Sequence, residues 1–346
     1  MVLNMQSCRS TGFSFLVVSL LGLLVSCLLA ITSAISAMSW EKAKVPKNQR
    51  LVEPNCSQDV RTAFKFDKRI RHYFVHVPPT YDGTTPLPLV VVLHGGGGNW
   101  LTISKTTGMS HKADKEGFLV LYPEGTGLLP TRYLVWNGGD CCGYARAKHI
   151  RDVQFIENVV DRVCTDYKVD KSRLYLVGMS NGGMMAYQVA CDPYNKFAAL
   201  AIVSGSMTGK EKKPGREMPV IIFHGTADRH VPYGGGKGKL AKWGYPVNKM
   251  PVDYAVKFWL ENNNCNIAAV KHTDTRDLCI HEYDPQERAV VFYRLSGADH
   301  HSPGSIEYKS VTQVQPDLNA MDIIWEFFRK YRLSTKNGAQ SCAVSI

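Results

Sequence analysis

The chain has 346 residues, 45% of them hydrophobic and 21% charged, enough apolar side chain for one core domain of roughly 250–300 residues and too much for a disordered protein. No repeat of fixed period and no low-complexity segment is present. The formal charge is +11, but no run of Lys and Arg interleaved with aromatics occurs, so the charge reads as a solvated surface and no nucleic-acid partner is expected.

In chain order, residues 13–35 form an uncharged apolar run with only Arg9 charged before it, closed by the small residues Thr32, Ser33, Ala34, Ser36 and Ala37. This is the pattern of a secretory signal over 1–37, cleaved around Ala34 to Ala37. The alternative is an uncleaved signal anchor, because the run is long enough to span a bilayer and Lys42, Lys44, Lys47 and Arg50 follow it. The membrane is a partner only in that second case. Ten cysteines are present and eight lie after the run, an even number that reads as disulfides in a secreted chain. Cys265 with Cys279 is the most local pairing. Cys164 and Cys191, set in helical apolar patterns, read alternatively as buried free thiols. Asn55-Cys56-Ser57 is a glycosylation sequon of the same compartment.

Residues 38–60 are a polar lead-in, 61–334 the folded domain and 335–346 a tail. Tyr73-Phe74-Val75-His76-Val77, stopped by Pro78-Pro79, predicts an edge strand. The continuous apolar runs 89–93 and 118–122 predict strands buried on both faces. Residues 152–164 carry Val153, Phe155, Ile156, Val159, Val160 and Val163 at helical spacing. Strands at 174–177, 198–203, 220–223 and 290–295 then alternate with helices at 183–190, 252–260 and 321–331. That alternation predicts an α/β fold with a mostly parallel sheet covered on both faces.

The strand at 174–177 runs into Gly178-Met179-Ser180-Asn181-Gly182, with a helix after it. GxSxG alone is weak; between a strand and a helix it reads as a nucleophile elbow, which implies the α/β-hydrolase fold. Ser180 is then the candidate nucleophile, and the N–H of Asn181 at the helix start a donor to a developing oxyanion. The second donor is expected from Leu93-His94-Gly95-Gly96-Gly97-Gly98-Asn99, with Gly96 favoured and Gly95 and Gly97 as alternatives. A serine hydroxyl needs a base and an orienting acid, which follow it in this fold in the order acid, histidine. Asp228 lies on the loop after strand 220–223 and His300 on the loop after strand 290–295, so they are the candidates; His301, Asp299, His224 and His94 are the rivals. The histidines show no metal-ligand spacing, and neither a metal nor another cofactor is expected.

Together these segments resemble the secreted esterase family of poly(3-hydroxybutyrate) depolymerases, feruloyl esterases and acetylxylan esterases. The resemblance runs from about Arg71 to Lys330 and also rests on Tyr122-Pro123-Glu124-Gly125, Trp136-Asn137, Cys141-Cys142-Gly143, Asp152-Val153-Gln154-Phe155 and Val231-Pro232-Tyr233. It implies the same Ser180, Asp228 and His300 assignment and an ester substrate, polymeric esters included. Where the family often carries tryptophan after its histidine, this chain has Ser302. Trp100 and Trp136 are the candidate substrate-facing aromatics. The expected activity is carboxylic-ester hydrolysis. A peptidase or acyltransferase on the same scaffold is the enzymatic alternative, and a non-catalytic extracellular carbohydrate-binding protein the alternative of another class. The sequence sets no oligomeric state.

Overall fold

A computed structural model describes residues 58–333 apart from 140, 239–248, 285, 287 and 306–316. The expected signal segment, the sequon, most of the lead-in, Cys342 and the tail lie outside the described residues. Among the described residues ten strands form a single sheet: β1 (Gln58–Phe66), β2 (Arg69–Val77), β3 (Leu87–Leu93), β4 (Leu119–Pro123), β5 (Val169–Met179), β6 (Ala199–Val203), β7 (Val220–Gly225), β8 (Val270–Asp274), β9 (Leu278–Tyr283) and β10 (Val290–Leu295). Their order is β1-β2-β4-β3-β5-β6-β7-β10-β9-β8. The centre, β4 through β10, is parallel, and antiparallel pairs flank it on both sides. This is the α/β-hydrolase arrangement expected from the sequence.

The apolar run of β3 shows why the sheet is buried twice. Leu89, Val91 and Leu93 enter one core and Val90 and Val92 the other, because successive side chains point to opposite faces. Helices α4 (Asp152–Asp166), α5 (Asn181–Ala190) and α6 (Val252–Asn262) cover the first face through residues such as Phe155, Met185 and Trp259. Helices α1 (Trp100–Thr107), α2 (Met109–Glu116) and α7 (Ala320–Phe328) cover the second through Ile103, Met109 and Ile324. The short α3 (Gly143–Ala147) lies in the loop after β4.

Two expectations are corrected. The strand at Tyr73–Val77 is not an edge: β1 pairs with β2 along its whole length, from Gln58 opposite Val77 to Phe66 opposite Arg69, and β4 pairs on its other side. The Cys265–Cys279 pairing is absent as well. The Cys265 thiol donates to Arg288 O at 3.2 Å, while Cys279 Sγ stands 3.0 Å from His281 Nε2, so each sulfur has a different partner. Cys164 and Cys191 are unbonded too, and burial pushes the Cys191 thiol well up. Among the described residues the disulfide framework reduces to a bond between the neighbours Cys141 and Cys142.

Candidate active site

The chain passes from β3 outward to β4 and then returns to place β5 on the other side of β3, so the carboxyl ends of β3 and β5 face each other at a switch point of the sheet. Ligand-binding crevices of open α/β sheets form at such points. Here the β3 end delivers the glycine loop and the β5 end delivers Ser180.

Ser180 occupies φ 56°, ψ −121°, a conformation that L residues hold only under constraint and that costs of order 1–3 kcal/mol. The constraint is visible. Ser180 N–H donates to Val203 O on β6, and Ser180 O accepts from Met184 N–H in the first turn of α5. Glycine is required on both sides of the turn: a Cβ on Gly178 would lie 2.2 Å from Gly182 O, and one on Gly182 would lie 2.3 Å from Leu93 O. The turn therefore presses α5 against the end of β3 and raises the serine oxygen out of the sheet.

The structure brings Ser180, His300 and Asp228 into one relay. His300 Nε2 is 2.9 Å from Ser180 Oγ and His300 Nδ1 is 2.7 Å from Asp228 Oδ2. Asp228 is buried, and its other oxygen accepts from the N–H groups of His230 and Val231, each at 2.8 Å. Burial alone would raise this carboxyl's pKa; the hydrogen bond and charge of His300, with help from Val231 N–H and His224, outweigh it and hold Asp228 below the usual carboxylate range. The acid and base loops are tied together by Ala227 N–H to Ala298 O, Thr226 N–H to Leu295 O and Gly297 N–H to Thr226 Oγ1.

The rivals have other tasks. His301 Nδ1 turns back to the His300 carbonyl at 2.9 Å. Asp299 accepts from the N–H groups of His300 and Arg229 and so shapes the loop. His224 donates through Nε2 to Val231 O, bracing the acid loop. His94 is wholly buried, donates through Nδ1 to Gly95 O and accepts from Gly125 N–H through Nε2. Ser302 is buried, with its carbonyl bonded to Ser305 N–H.

On the oxyanion side, Asn181 opens α5, so its N–H has no acceptor within the helix. Of the glycine loop, Gly97 N–H is taken by Leu134 O at 2.8 Å and Gly98 N–H by Gly95 O at 3.1 Å, which removes Gly97 as an alternative. Gly95 and Gly96 N–H have no acceptor among the described residues. A Cβ on Gly95 would lie 3.9 Å from Ser180 Oγ, and one on Gly96 3.6 Å from Asn181 Cβ, so both flank the serine.

Trp136 is a correction. It is 0% exposed, its Nε1–H donates to His94 O at 2.9 Å, and its backbone N–H donates to Asn181 Oδ1 at 2.7 Å. It is an internal brace and cannot touch a substrate. Trp100 stacks on Phe74 with ring centres 4.0 Å apart, a packing role. Sequence reading missed the brace that continues from Trp136. Asp152 accepts from Asn137 N–H at 2.9 Å and pairs with buried Arg71 at 2.7 Å, and Arg71 stands 3.7 Å over the Phe155 ring. Among the described residues two groups could offer three ligand atoms each to a cation: Asp228, His230 and His300, whose His300 nitrogens already serve the relay, and His272, Cys279 and His281 on the outer strands.

His94 gives the site a pH signature. Burial, and to a lesser degree the nearby Arg71 charge, lowers it from 6.5 to about 4 against the hydrogen bond to Gly95 O. An unfolded histidine takes up its proton near pH 6.5, so between there and about pH 4 the unfolded chain binds the extra proton. The contribution is whole above that window and lost as pH falls through it, about 3 kcal/mol in all. Urea midpoints measured from pH 7 to 4 are expected to fall, and to fall less steeply in His94→Asn. Equal slopes in the two proteins would refute this.

Comparison with known proteins agrees with this architecture. Residues 71–232 match the family model described as esterase PHB depolymerase. Feruloyl esterase B of Piromyces equi is 29% identical over 238 residues, 66% of this chain and 42% of that protein. Probable feruloyl esterase C of Aspergillus niger is 25% identical over 260 residues, 75% of this chain and 83% of that one. The chain thus spans less than half the length of the first of these relatives. Among solved structures, acetyl xylan esterase from Aspergillus awamori superposes with a TM-score of 0.53 at 16% identity, covering 75% of this chain and 94% of that one, which shows a shared fold. The resemblance drawn from the motifs holds.

Proposed function

We propose that this chain, which carries the esterase PHB depolymerase pattern over residues 71–232, is a secreted carboxylic-ester hydrolase acting through Ser180, His300 and Asp228. The observation that carries the proposal is the unbroken relay of 2.9 Å and 2.7 Å from the Ser180 hydroxyl through His300 to a buried, ionised Asp228. Ser180 Oγ attacks the ester carbonyl while His300 Nε2 accepts its proton. Asp228 holds the imidazole in the tautomer that can accept and stabilises the imidazolium. The N–H groups of Asn181 and Gly96 stabilise the oxyanion, and Gly95 is the neighbouring donor. His300 returns the proton to the leaving alcohol, and a water activated by the same imidazole then cleaves the acyl-enzyme. Residues 61–334 form the catalytic domain, and 1–37 direct export.

The substrates are short or aromatic acyl esters of carbohydrate or hydroxyacid polymers. Two features support this reading: relatives named feruloyl and acetyl xylan esterases, and a loop after β4 that is no lipase lid. A lid needs an amphipathic helix able to cover and release an acyl groove. Here the described helix of that loop is α3, five residues long, and the loop is fastened inward through Trp136, Asn137 and Asp152. Across p-nitrophenyl esters, kcat/KM is expected to fall as acyl chains lengthen beyond about four carbons, since a fixed pocket gains little from each added methylene. Acetylated xylan, methyl ferulate and short polyhydroxybutyrate complete the panel. A maximum among long acyl chains with activation at an oil–water interface, or no hydrolysis of any ester, would sink the proposal.

A further inference from the structure

The outer hairpin of the sheet carries four side chains able to ligate a metal, and the relay at Ser180 uses none of them. In the β8–β9 register His272 lies opposite His281, and Asp274 lies opposite Cys279. Residues two apart on a strand share a face, and so do directly paired residues, so all four side chains stand together. His272 Nδ1 is 3.3 Å from His281 Nδ1, Cys279 Sγ is 3.0 Å from His281 Nε2, and Asp274 Oδ2 is 3.8 Å from His272 Nε2. One ligand atom from each of His272, Cys279 and His281 can be chosen so that all lie within 4.8 Å of one another. Ligands bound to a tetrahedral zinc ion at about 2.0–2.3 Å stand roughly 3.3–3.8 Å apart, so the groups are already close to bonding positions.

We propose that this face is a Zn2+ site, with the Cys279 thiolate and one nitrogen each from His272 and His281 as ligands and Asp274 closing the fourth position. The donor set decides the ion. One sulfur, two imidazoles and one carboxylate suit zinc, whereas calcium and magnesium require mainly oxygen ligands. His281 now turns one nitrogen to each neighbour. A planar ring cannot give both nitrogens to one ion, so binding rotates it and exchanges the contacts for bonds to the metal. Cys279 must release its proton to bind, which makes affinity rise with pH. Thiolate and Asp274 carboxylate together balance the dication. The His272 and Asp274 side chains are 44% and 66% exposed, so the ion enters from solvent.

The ion would clip the sheet's terminal strand. β8 is exposed along its whole length and pairs with β9 on one side. Bonds from both strands to one cation hold it there, independently of the chemistry at Ser180.

Cobalt(II) added to the full-length reduced protein tests the site, with zinc affinity read by competition against a chromophoric chelator. The expected result is one Co2+ per chain with a thiolate-to-cobalt charge-transfer band that Zn2+ erases. That band separates this site from Asp228, His230 and His300, which offer no sulfur. Cys279→Ser is expected to abolish the band and weaken zinc binding at least about a hundredfold, and His272→Ala at least about tenfold. Turnover of p-nitrophenyl acetate should stay unchanged in His272→Ala. Absence of the band in the reduced wild-type protein, or wild-type zinc affinity in His272→Ala, overturns the proposal. Because His272 is largely exposed, its variant keeps the test readable even where Cys279→Ser fails to fold.

Discussion

His300→Ala is expected to lower kcat for p-nitrophenyl acetate at least about a thousandfold, whereas His301→Ala should cost less than about tenfold. The two histidines are neighbours, yet only one ring reaches the serine: His300 Nε2 lies 2.9 Å from Ser180 Oγ, while His301 bonds back to the His300 carbonyl. A thousandfold loss corresponds to about 4 kcal/mol of transition-state stabilisation, more than a packing change at a partly exposed loop supplies. Circular dichroism of both variants checks that they are folded. A fluorophosphonate probe provides the companion readout, since it should label wild-type protein at Ser180 and leave Ser180→Ala unlabelled. The reverse ranking of the two histidines would move the base by one residue.

Gly182→Ala should be among the most damaging substitutions in the domain, although it adds a single methyl group. That methyl would lie 2.3 Å from Leu93 O and 2.5 Å from His94 O, both backbone atoms at the end of β3. Backbone cannot rotate out of the way as a flexible side chain can. Either α5 withdraws from the sheet or β3 and its glycine loop shift, and both displace the groups around Ser180. A loss of about 3 kcal/mol or more is expected, together with most of the activity. Gly215→Ala is the control, because nothing lies within 4 Å of the position its Cβ would take. Its urea midpoint should match or slightly exceed wild type. An unchanged midpoint in Gly182→Ala would show that the elbow is looser than its geometry implies.

Legibility followed the strength of apolar patterning. The sequence places β10 at 290–295 and it lies at Val290–Leu295, because all but Arg294 of its residues are apolar and buried. That Ser180, Asp228 and His300 come together was legible because each follows a buried strand, and the end of a buried strand is the best-marked position in this fold. β1 was hidden for the opposite reason. Its Gln58–Phe66 sequence places charges at alternate positions for solvent, so it resembled the polar lead-in, and without it β2 looked like an edge. β8 has no buried position at all and gives no periodic signal. The same strand hides the proposed metal ligands, since His272 and His281 meet only through hairpin register. Trp136 was misplaced because an aromatic in a glycine-containing loop resembles a substrate platform. Only the folded chain reveals that His94 O and Asn181 Oδ1 bind it inside.

The loop after β4 has fixed feet. Gly125 N–H is held by the His94 imidazole at 3.0 Å, and Asn137 N–H is held by the Asp152 carboxylate at 2.9 Å. Between them Thr126 and Val135 bridge the two legs, and beyond that bridge Leu128 and Tyr133 are 85% and 74% exposed. Chain entropy charges little for extra residues in a loop whose ends are already fixed, only about 0.6 kcal/mol for each doubling of length. Residues 128–133 are therefore a cassette: they can lengthen, shorten or be exchanged while both anchors, and the Leu134 carbonyl that holds Gly97 N–H, stay in register. The chemistry of the bond broken and the shape of what is brought to it are thereby separable, and related chains can diverge at this tip without disturbing the machinery beneath.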